Sequence, residues 1–157
     1  MGYLEKIHCR EDLNALSWEQ TVQLCEEIRQ FLIEHVSQTG GHLASNLGVV
    51  ELTVAIHKVF DTSQDRLVFD VGHQSYVHKM LTGRCDQFST LRSFGGMAGF
   101  PKPSESEHDA FIAGHASGAV SAAIGMARAA RLQGQRYSTI ALLGDGALTG
   151  GLAFEGL

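Results

Sequence analysis

Apolar residues recur at helical spacing between Ser17 and Val36, which predicts an amphipathic helix over this range. Its predicted buried positions are Val22, Cys25, Ile28, Leu32 and Val36. Ser17 followed by Gln20 is a capping-box pattern at the start, and Gly40-Gly41 marks the end. A second helix is predicted from about Leu47 to Phe60, with Val50, Val54 and Val59 among its buried positions.

Two short apolar runs predict buried strands, the first over residues 66–70 and the second over residues 139–143. The segment 116–132 between them is rich in Ala and small residues, which predicts a tightly packed, buried helix. A strand, a long crossover containing a helix and a second strand are typical of a parallel sheet. We therefore expect an α/β fold with a parallel sheet.

Composition narrows the classes of protein to consider. The chain has 157 residues, enough for one domain with a hydrophobic core, and 44% of them are apolar against 18% charged. The net charge is −5 and no run of Lys or Arg occurs, so neither nucleic acid nor a membrane is an expected partner. No apolar stretch approaches the roughly 18 residues that cross a bilayer.

Cysteine usage and the N-terminal sequence predict a cytoplasmic protein. Cys9, Cys25 and Cys85 are odd in number and far apart, and no CxxC motif occurs. The first residues have neither the charged-then-apolar pattern of a signal peptide nor the Arg- and Ser-rich character of a transit peptide.

The segment 143–151, Leu-Gly-Asp-Gly-Ala-Leu-Thr-Gly-Gly, is the strongest local candidate for chemistry. It places the Asp145 carboxylate at the end of a predicted strand, where open α/β sheets bind ligands. Flanking glycines expose the backbone, and a following helix would present free N–H groups to a phosphate. Asp145 is then a candidate Mg²⁺ ligand. An equally weighted alternative is a tight turn in which Asp145 caps the next helix. No Walker lysine and no G-x-G-x-x-G motif accompany the segment.

Three histidines follow glycine: His42, His73 and His115. For any single one, a solvated or structural role is the more common outcome. His73 and His115, however, lie just after a predicted strand or just before a predicted helix, on the expected ligand side with Asp145. Imidazoles there would contact a diphosphate or move protons near neutral pH. A zinc site is disfavoured, because His73 and His78 are five residues apart and no further ligand completes a motif.

Several segments together are similar to the 1-deoxy-D-xylulose-5-phosphate synthase family, a group of transketolase-like enzymes. They are Gly40-Gly41-His42-Leu43-Ala44-Ser45-Asn46-Leu47-Gly48-Val49-Val50-Glu51-Leu52, Asp70-Val71-Gly72-His73-Gln74-Ser75-Tyr76-Val77-His78-Lys79, Gly99-Phe100-Pro101, Ser104-Glu105-Ser106-Glu107-His108-Asp109-Ala110-Phe111 and Gly144-Asp145-Gly146-Ala147-Leu148-Thr149-Gly150-Gly151. They occur in the family's order, so the resemblance covers essentially the whole chain. Ordinary transketolases have different versions of these segments.

The resemblance implies a parallel-sheet, thiamine-diphosphate-binding fold of the transketolase type. It also implies condensation of pyruvate with D-glyceraldehyde 3-phosphate, with loss of CO₂, for isoprenoid, thiamine and pyridoxal synthesis. The implied cofactors are thiamine diphosphate and Mg²⁺, and the complete enzyme is expected to be a homodimer.

The family's functional residues carry over by motif. His42 and His73 are the implied proton-transfer residues, and Asp145 is the implied Mg²⁺ ligand. The implied cofactor-binding residues are His73, Gly114, His115, Ala116, Gly146 and Ala147. The family usually reads Gly-His-Ser-Ser-Thr-Ser where this chain has Gly114-His115-Ala116-Ser117-Gly118-Ala119, so a hydroxyl contact at position 116 would be lost.

Family members are much longer than this chain. Residues 1–157 would be the amino-terminal part of the diphosphate-binding domain, incomplete at its C-terminus, without the pyrimidine-binding and C-terminal domains. The Asn that closes the Gly-Asp-Gly…Asn motif would lie beyond Leu157, so we expect the isolated chain to be inactive. Alternatives are a subunit of a split transketolase-like enzyme and a non-catalytic remnant.

Overall fold

The structure is a computed structural model that describes residues 2–157, and the chain divides into two compact units. The first unit consists of the residues up to Asp61 together with His73–Gly99. The second consists of Thr62–Gly72 and Phe100–Leu157. Within residues 2–157, every helix is too short or too polar to cross a bilayer.

The first unit is helical. In chain order it contains a 3-10 turn at Leu4–Lys6, α1 (Arg10–Asn14), α2 (Trp18–Thr39), α3 (Leu43–Leu47), α4 (Val50–Val59), α5 (Tyr76–Lys79), a kinked turn at Met80–Arg84 and a 3-10 helix at Cys85–Thr90. Its core is built around α2, α4 and α5, with Leu24, Ile28, Val50 and Tyr76 completely buried.

Helix α2 confirms the predicted amphipathic helix and its capping box. The Gln20 N–H donates to Ser17 Oγ at 3.3 Å, and the Ser17 N–H donates to Gln20 Oε1 at 2.9 Å. The helix ends at Gly40, whose φ of +74° suits a residue without a Cβ. Of the predicted buried positions only Val22 is wrong, because it lines a surface groove with Trp18 and is 48% exposed.

The second predicted helix is interrupted. The turn Gly48-Val49 separates α3 from α4, since Val49 leaves the helical region with φ −123° and ψ 14°. Val50 and Val54 are buried as predicted. The prediction for Val59 is wrong: it is the last residue of α4, where the helix leaves the core, and it is 66% exposed.

The second unit contains the sheet, which confirms a mixed helix–strand architecture with parallel pairing. Its elements are β1 (Arg66–Phe69), α6 (Ala119–Leu132), β2 (Thr139–Leu142), a 3-10 helix at Asp145–Thr149 and α7 (Gly151–Gly156). Strands β1 and β2 pair in parallel from Arg66 opposite Thr139 to Phe69 opposite Leu142. The crossover that the sequence predicted therefore joins neighbouring strands.

Burial in this unit is less complete than the sequence predicted. Only Leu142 of β2 is buried, and the three residues before it are half-buried. Helix α6 packs through Ala119 and Ala123 against Val68 of β1, whereas Leu132 at its end is 87% exposed. The predicted burial of α6 is thus confirmed for one face only, the face that covers the sheet.

Candidate functional site

In the first unit, the structure brings the side chains of His42 and His73 together. Their ring centroids are 5.0 Å apart, and the ring planes meet at 68°, an edge-to-face arrangement. His42 is exposed at the start of α3, and His73 is half-buried three residues before α5. Two imidazoles at this separation lie close enough to act on one substrate molecule.

The backbone around these two histidines is held by the side chain of Asn46. Its Nδ2 donates to the carbonyl oxygens of His42 and His73, at 2.7 and 2.8 Å. Its Oδ1 accepts from the N–H of Tyr76 at 2.8 Å. Asn46 is completely buried, so these bonds form away from water.

A second connection in the same unit runs through Tyr76. Its hydroxyl oxygen accepts from the His42 N–H at 3.4 Å and lies against Gly41. Gly41 has φ +144°, and a Cβ there would lie 2.7 Å from the Tyr76 hydroxyl. Glycine is therefore required before His42 both by backbone conformation and by space.

His78, the residue considered as a partner of His73 in a zinc site, takes part in another pair. Its Nδ1 lies 2.9 Å from Nε2 of His57, and both side chains are buried. Among residues 2–157, no three His, Cys, Asp or Glu side chains converge in a way that would hold a metal ion. The His57–His78 pair joins α4 to α5 and stabilises the segment that follows His73.

In the second unit, the carboxylate of Asp70 connects the end of β1 to the start of α6. Its Oδ1 accepts from the Ser117 N–H at 2.8 Å, and its Oδ2 accepts from the Ala119 N–H at 3.0 Å. Asp70 is 1% exposed. A carboxylate in this position satisfies N–H groups that have no partner inside the helix and interacts favourably with the helix dipole.

The backbone immediately after Asp70 is strained. Val71 has φ +62°, a left-handed conformation that is unfavourable for a β-branched residue, and Gly72 follows with φ +97°. A Cβ at Gly72 would lie 2.7 Å from Cδ of Pro101. Strained backbone of this kind persists where the surrounding contacts hold it, and it is frequent beside functional sites.

Ser117 connects the two loops that the sequence marked as cofactor-binding. Its Oγ donates to the carbonyl oxygen of Ala147 at 2.7 Å, and its side chain packs against Gly150 so closely that a Cβ there would overlap it. Ser117 itself has φ +76°, another left-handed residue without the freedom of glycine. Turn 114–118 is thereby attached to the Gly-Asp-Gly segment.

Parts of these two loops are exposed, and several of their backbone N–H groups make no hydrogen bond within residues 2–157. Gly114, His115 and Ala116 are exposed, as are Asp145 and Gly146. The N–H groups of His115, Ala116 and Gly146 have no acceptor within residues 2–157. The Ala147 N–H, in contrast, donates to the Gly144 carbonyl at 3.0 Å.

The Asp145 carboxylate makes no hydrogen bond and no ion pair within residues 2–157. No side chain caps the 3-10 helix that begins at Asp145, and none caps α7. The alternative in which Asp145 serves as a helix cap is therefore wrong. An exposed carboxylate without a partner, beside uncovered glycine backbone, has the donor chemistry of a Mg²⁺–diphosphate site.

Comparison with known proteins identifies the family of this chain. A family model described as 1-deoxy-D-xylulose-5-phosphate synthase matches residues 4–157. The chain belongs to the 1-deoxy-D-xylulose-5-phosphate synthase family.

Curated relatives of that name share more than half of their residues with this chain over the matched region. Identity is 62% over 154 residues to the 1-deoxy-D-xylulose-5-phosphate synthase of Natranaerobius thermophilus and 58% over 154 residues to that of Pelotomaculum thermopropionicum. It is 57% over 154 residues to 1-deoxy-D-xylulose-5-phosphate synthase 1 of Geobacter sulfurreducens. In each case the match covers 98% of this chain and 24% of the relative, so the chain spans about a quarter of their length.

Three residues that organise the loops of this synthase-family chain were not singled out by the sequence. They are Asn46, Asp70 and Ser117. Asp70 follows a predicted strand, as Asp145 does, and this position was the one sequence signal that could have identified Asp70. Nothing local marks Ser117, because the acceptor of its hydroxyl lies 30 residues away along the chain. Asn46 has one partner four residues away, but its bonds to His73 and Tyr76 span 27 and 30 residues.

Proposed function

We propose that this chain is the diphosphate-binding part of a thiamine-diphosphate-dependent 1-deoxy-D-xylulose-5-phosphate synthase. The whole enzyme would condense pyruvate with D-glyceraldehyde 3-phosphate and release CO₂. The observation that carries the proposal is the hydrogen-bonded series from Asp70 through Ser117 to Ala147. It joins two loops with free N–H groups to a strand end, and one of these loops carries a carboxylate without a partner.

The residues present fit the cofactor that the family implies. The N–H groups of His115, Ala116 and Gly146 would donate to the diphosphate oxygens, since no protein acceptor competes for them. The N–H of Ala147 is already bonded to the Gly144 carbonyl, so Ala147 would line the cofactor site without donating this N–H to the diphosphate. Gly114 and Gly146 have open space where a Cβ would lie, which leaves the backbone accessible to a bulky anion.

Asp145 would be the Mg²⁺ ligand that this chain supplies. Mg²⁺ commonly binds through one or two carboxylates together with phosphate oxygens and water. A single carboxylate at position 145, next to the diphosphate loops, is consistent with that preference. The remaining protein ligand, an Asn in the family's motif, would come from the part of the enzyme outside this chain.

His42 and His73 would handle protons on the substrate side, and His73 would also contact the cofactor. The chemistry that thiamine diphosphate supplies when bound is nucleophilic attack on the pyruvate carbonyl and acceptance of the electron pair released with CO₂. Imidazoles are common general acids and bases, so a pair of them can donate and accept protons in one turnover. The edge-to-face packing of the two rings, with centroids 5.0 Å apart, supports a shared role for them.

We assign residues 1–157 to the amino-terminal part of the diphosphate-binding domain of a transketolase-type fold. The pyrimidine-binding and C-terminal domains would belong to the remaining three quarters of a protein as long as the relatives. The complete enzyme would be a homodimer. In this assignment the isolated chain binds the diphosphate end of the cofactor weakly and does not turn over substrate.

Calorimetry with thiamine diphosphate tests the binding half of the proposal. Titrations would compare the wild-type chain with Asp145→Asn, with and without Mg²⁺. Asp86→Asn is the matched control, since Asp86 is likewise exposed near the start of a 3-10 helix but lies in the first unit. We expect binding that requires Mg²⁺, is lost in Asp145→Asn and is retained in Asp86→Asn. Equal binding by all three proteins would contradict the assigned metal ligand.

A chimera tests the activity. Residues 4–157 would replace the segment that they match in the Natranaerobius thermophilus relative, which restores a full-length enzyme. We expect product formation from pyruvate and D-glyceraldehyde 3-phosphate, and loss of it in Asp145→Asn. A folded chimera that binds cofactor but forms no product would reject the proposed activity.

A further inference from the structure

The side chain of Asn46 uses all of its polar atoms in one local network. Its two amide hydrogens are donated to the carbonyl oxygens of His42 and His73, and its Oδ1 accepts from Tyr76. The bond to His42 spans four residues, whereas the bonds to Tyr76 and His73 span 30 and 27 residues. Asn46 therefore connects the start of α3 to the segment that leads into α5.

Only a primary amide of this length can make these three bonds. The two carbonyl oxygens require donors, and the Tyr76 N–H requires an acceptor, so the side chain must offer both. A carboxylate at position 46 would place negative charge against two carbonyl oxygens in a buried site. Glutamine carries the same amide, but its side chain is one methylene longer. Because Asn46 is completely buried, that extra methylene would overpack the site.

The contacts of Asn46 fall on the backbone of the two residues whose rings meet. A hydrogen bond to the carbonyl of a residue restrains the peptide plane next to its Cα, and therefore the direction in which its side chain leaves the backbone. With both carbonyls held by one amide, the imidazoles of His42 and His73 are kept at a ring separation of 5.0 Å. Tyr76 adds a longer hydrogen bond, from the His42 N–H at 3.4 Å.

From this geometry we infer that Asn46 is a positioning residue, which sets the distance and angle between the imidazoles of His42 and His73. The expected effect of Asn46 on catalysis rests on the proposed function, because the two imidazoles are the proposed proton carriers. The effect of Asn46 on the ring geometry does not depend on the proposed function. In this role Asn46 acts only through the histidines.

NMR of the 157-residue chain with isotopically labelled histidine tests the effect of Asn46 on the ring geometry. The wild type should show a nuclear Overhauser effect (NOE) between the rings of His42 and His73, and NOEs from the Asn46 side-chain NH₂ to neighbouring protons of both residues. Absence of these contacts in the wild type would overturn the inference without any variant. The buried His57–His78 pair has its own ring contact and serves as an internal reference.

The variant Asn46→Asp keeps the shape of the side chain and removes both donors. We expect the His42–His73 NOE to weaken, while the His57–His78 signals stay in place. Leu24→Ala is the matched control, since it removes a completely buried core side chain on α2 and lowers stability, while the leucine side chain takes no part in the hydrogen bonds of Asn46. An unchanged His42–His73 NOE in a folded Asn46→Asp protein would overturn the inference, as would an equal loss in Leu24→Ala.

The chimeric enzyme tests the consequence for catalysis. Asn46→Asp should lower kcat by about tenfold or more and leave the KM for pyruvate nearly unchanged, because misplaced proton carriers slow the chemical step. Leu24→Ala, assayed well below its melting temperature, should retain kcat. If the unmodified chimera makes no product, the proposed function fails, while the ring contacts measured by NMR still decide the positioning role. A folded Asn46→Asp chimera with wild-type kcat would overturn that role.

Discussion

The carboxylate of Asp70 accepts a hydrogen bond from the backbone N–H of Ser117 at 2.8 Å, across 47 residues of chain. The same carboxylate holds the first residue of α6, Ala119. Asp145 lies three residues beyond the end of the other strand, β2, and its carboxylate is exposed and has no partner within residues 2–157. Two aspartates after parallel strands therefore have opposite roles, one holding the fold and the other available to a ligand.

This contrast predicts opposite effects of the same substitution. Asp70→Asn should lower the free energy of unfolding by about 2–3 kcal/mol, because a buried carboxylate with two N–H donors is replaced by an amide that matches only one. Asp145→Asn should change it by less than about 0.5 kcal/mol, as is usual at an exposed position without contacts. Urea denaturation of the three proteins measures both values. Equal destabilisation by the two substitutions would contradict the structural role of Asp70.

The packing of Ser117 against Gly150 predicts a compensating pair of substitutions. Gly150→Ala alone should cost about 1–3 kcal/mol, because the new Cβ would overlap Ser117 Oγ although the backbone φ of −77° suits alanine. Ser117→Gly loses a hydrogen bond of about 1 kcal/mol and relieves a left-handed φ of similar cost, so it should be nearly neutral.

The double variant Ser117→Gly/Gly150→Ala should therefore be more stable than Gly150→Ala. The double-mutant cycle, measured by thermal or urea denaturation, should give a coupling of about 1–2 kcal/mol. Strict additivity of the two changes would mean that the loops do not touch in solution.

Restoring the family's usual serine at Ala116 should strengthen cofactor binding. Ala116 is exposed, and the N–H groups of His115 and Ala116 have no acceptor within residues 2–157, so a hydroxyl there can add one hydrogen bond to the diphosphate. We expect the Kd for thiamine diphosphate with Mg²⁺ to fall by about twofold to tenfold. Calorimetry measures it, and Ala127→Ser on the exposed side of α6 is the control that should leave Kd unchanged. A weaker Kd in Ala116→Ser would indicate that the turn is filled by other groups.

Cys85 predicts a specific loss of stability in alkali. Burial raises the pKa of its thiol from 9.0 to about 11, assisted by the nearby carboxylates of Asp86 and Glu5. Between these values the unfolded chain releases the proton while the folded chain keeps it, so stability should fall as pH rises from 9 to about 11. Melting temperatures of Cys85→Ala should decline less steeply over this window than those of the wild type.

The matched control for this measurement is Ser89→Ala, an exposed and non-titrating change in the same 3-10 helix. It should follow the wild-type pH dependence. Parallel curves for the wild type and Cys85→Ala would show that the thiol of Cys85 does not titrate in this window.

Features of the fold that depend on residues close together in the chain could be predicted from the sequence. The capping box of Ser17 and Gln20 and the stop at Gly40 act within a few residues, so α2 was predictable to within three residues at its C-terminal end. Parallel pairing of β1 and β2 was likewise predictable from the helical crossover. The exposure of Val22 and Val59 could not be predicted. Helical spacing identifies an apolar face of a helix, but it does not show how much of that face the neighbouring elements cover.

The sequence by itself determined the family and the order of the motifs, and it supplied the residues proposed for diphosphate and metal binding. The tertiary structure decided how those motifs are held: by Asn46 around His42 and His73, and by Asp70 and Ser117 around the Gly-Asp-Gly loop. The physical reason is distance along the chain. Helix caps and turns form between neighbours and leave a local signature. These side chains, in contrast, find partners 27 to 49 residues away only after the elements have packed.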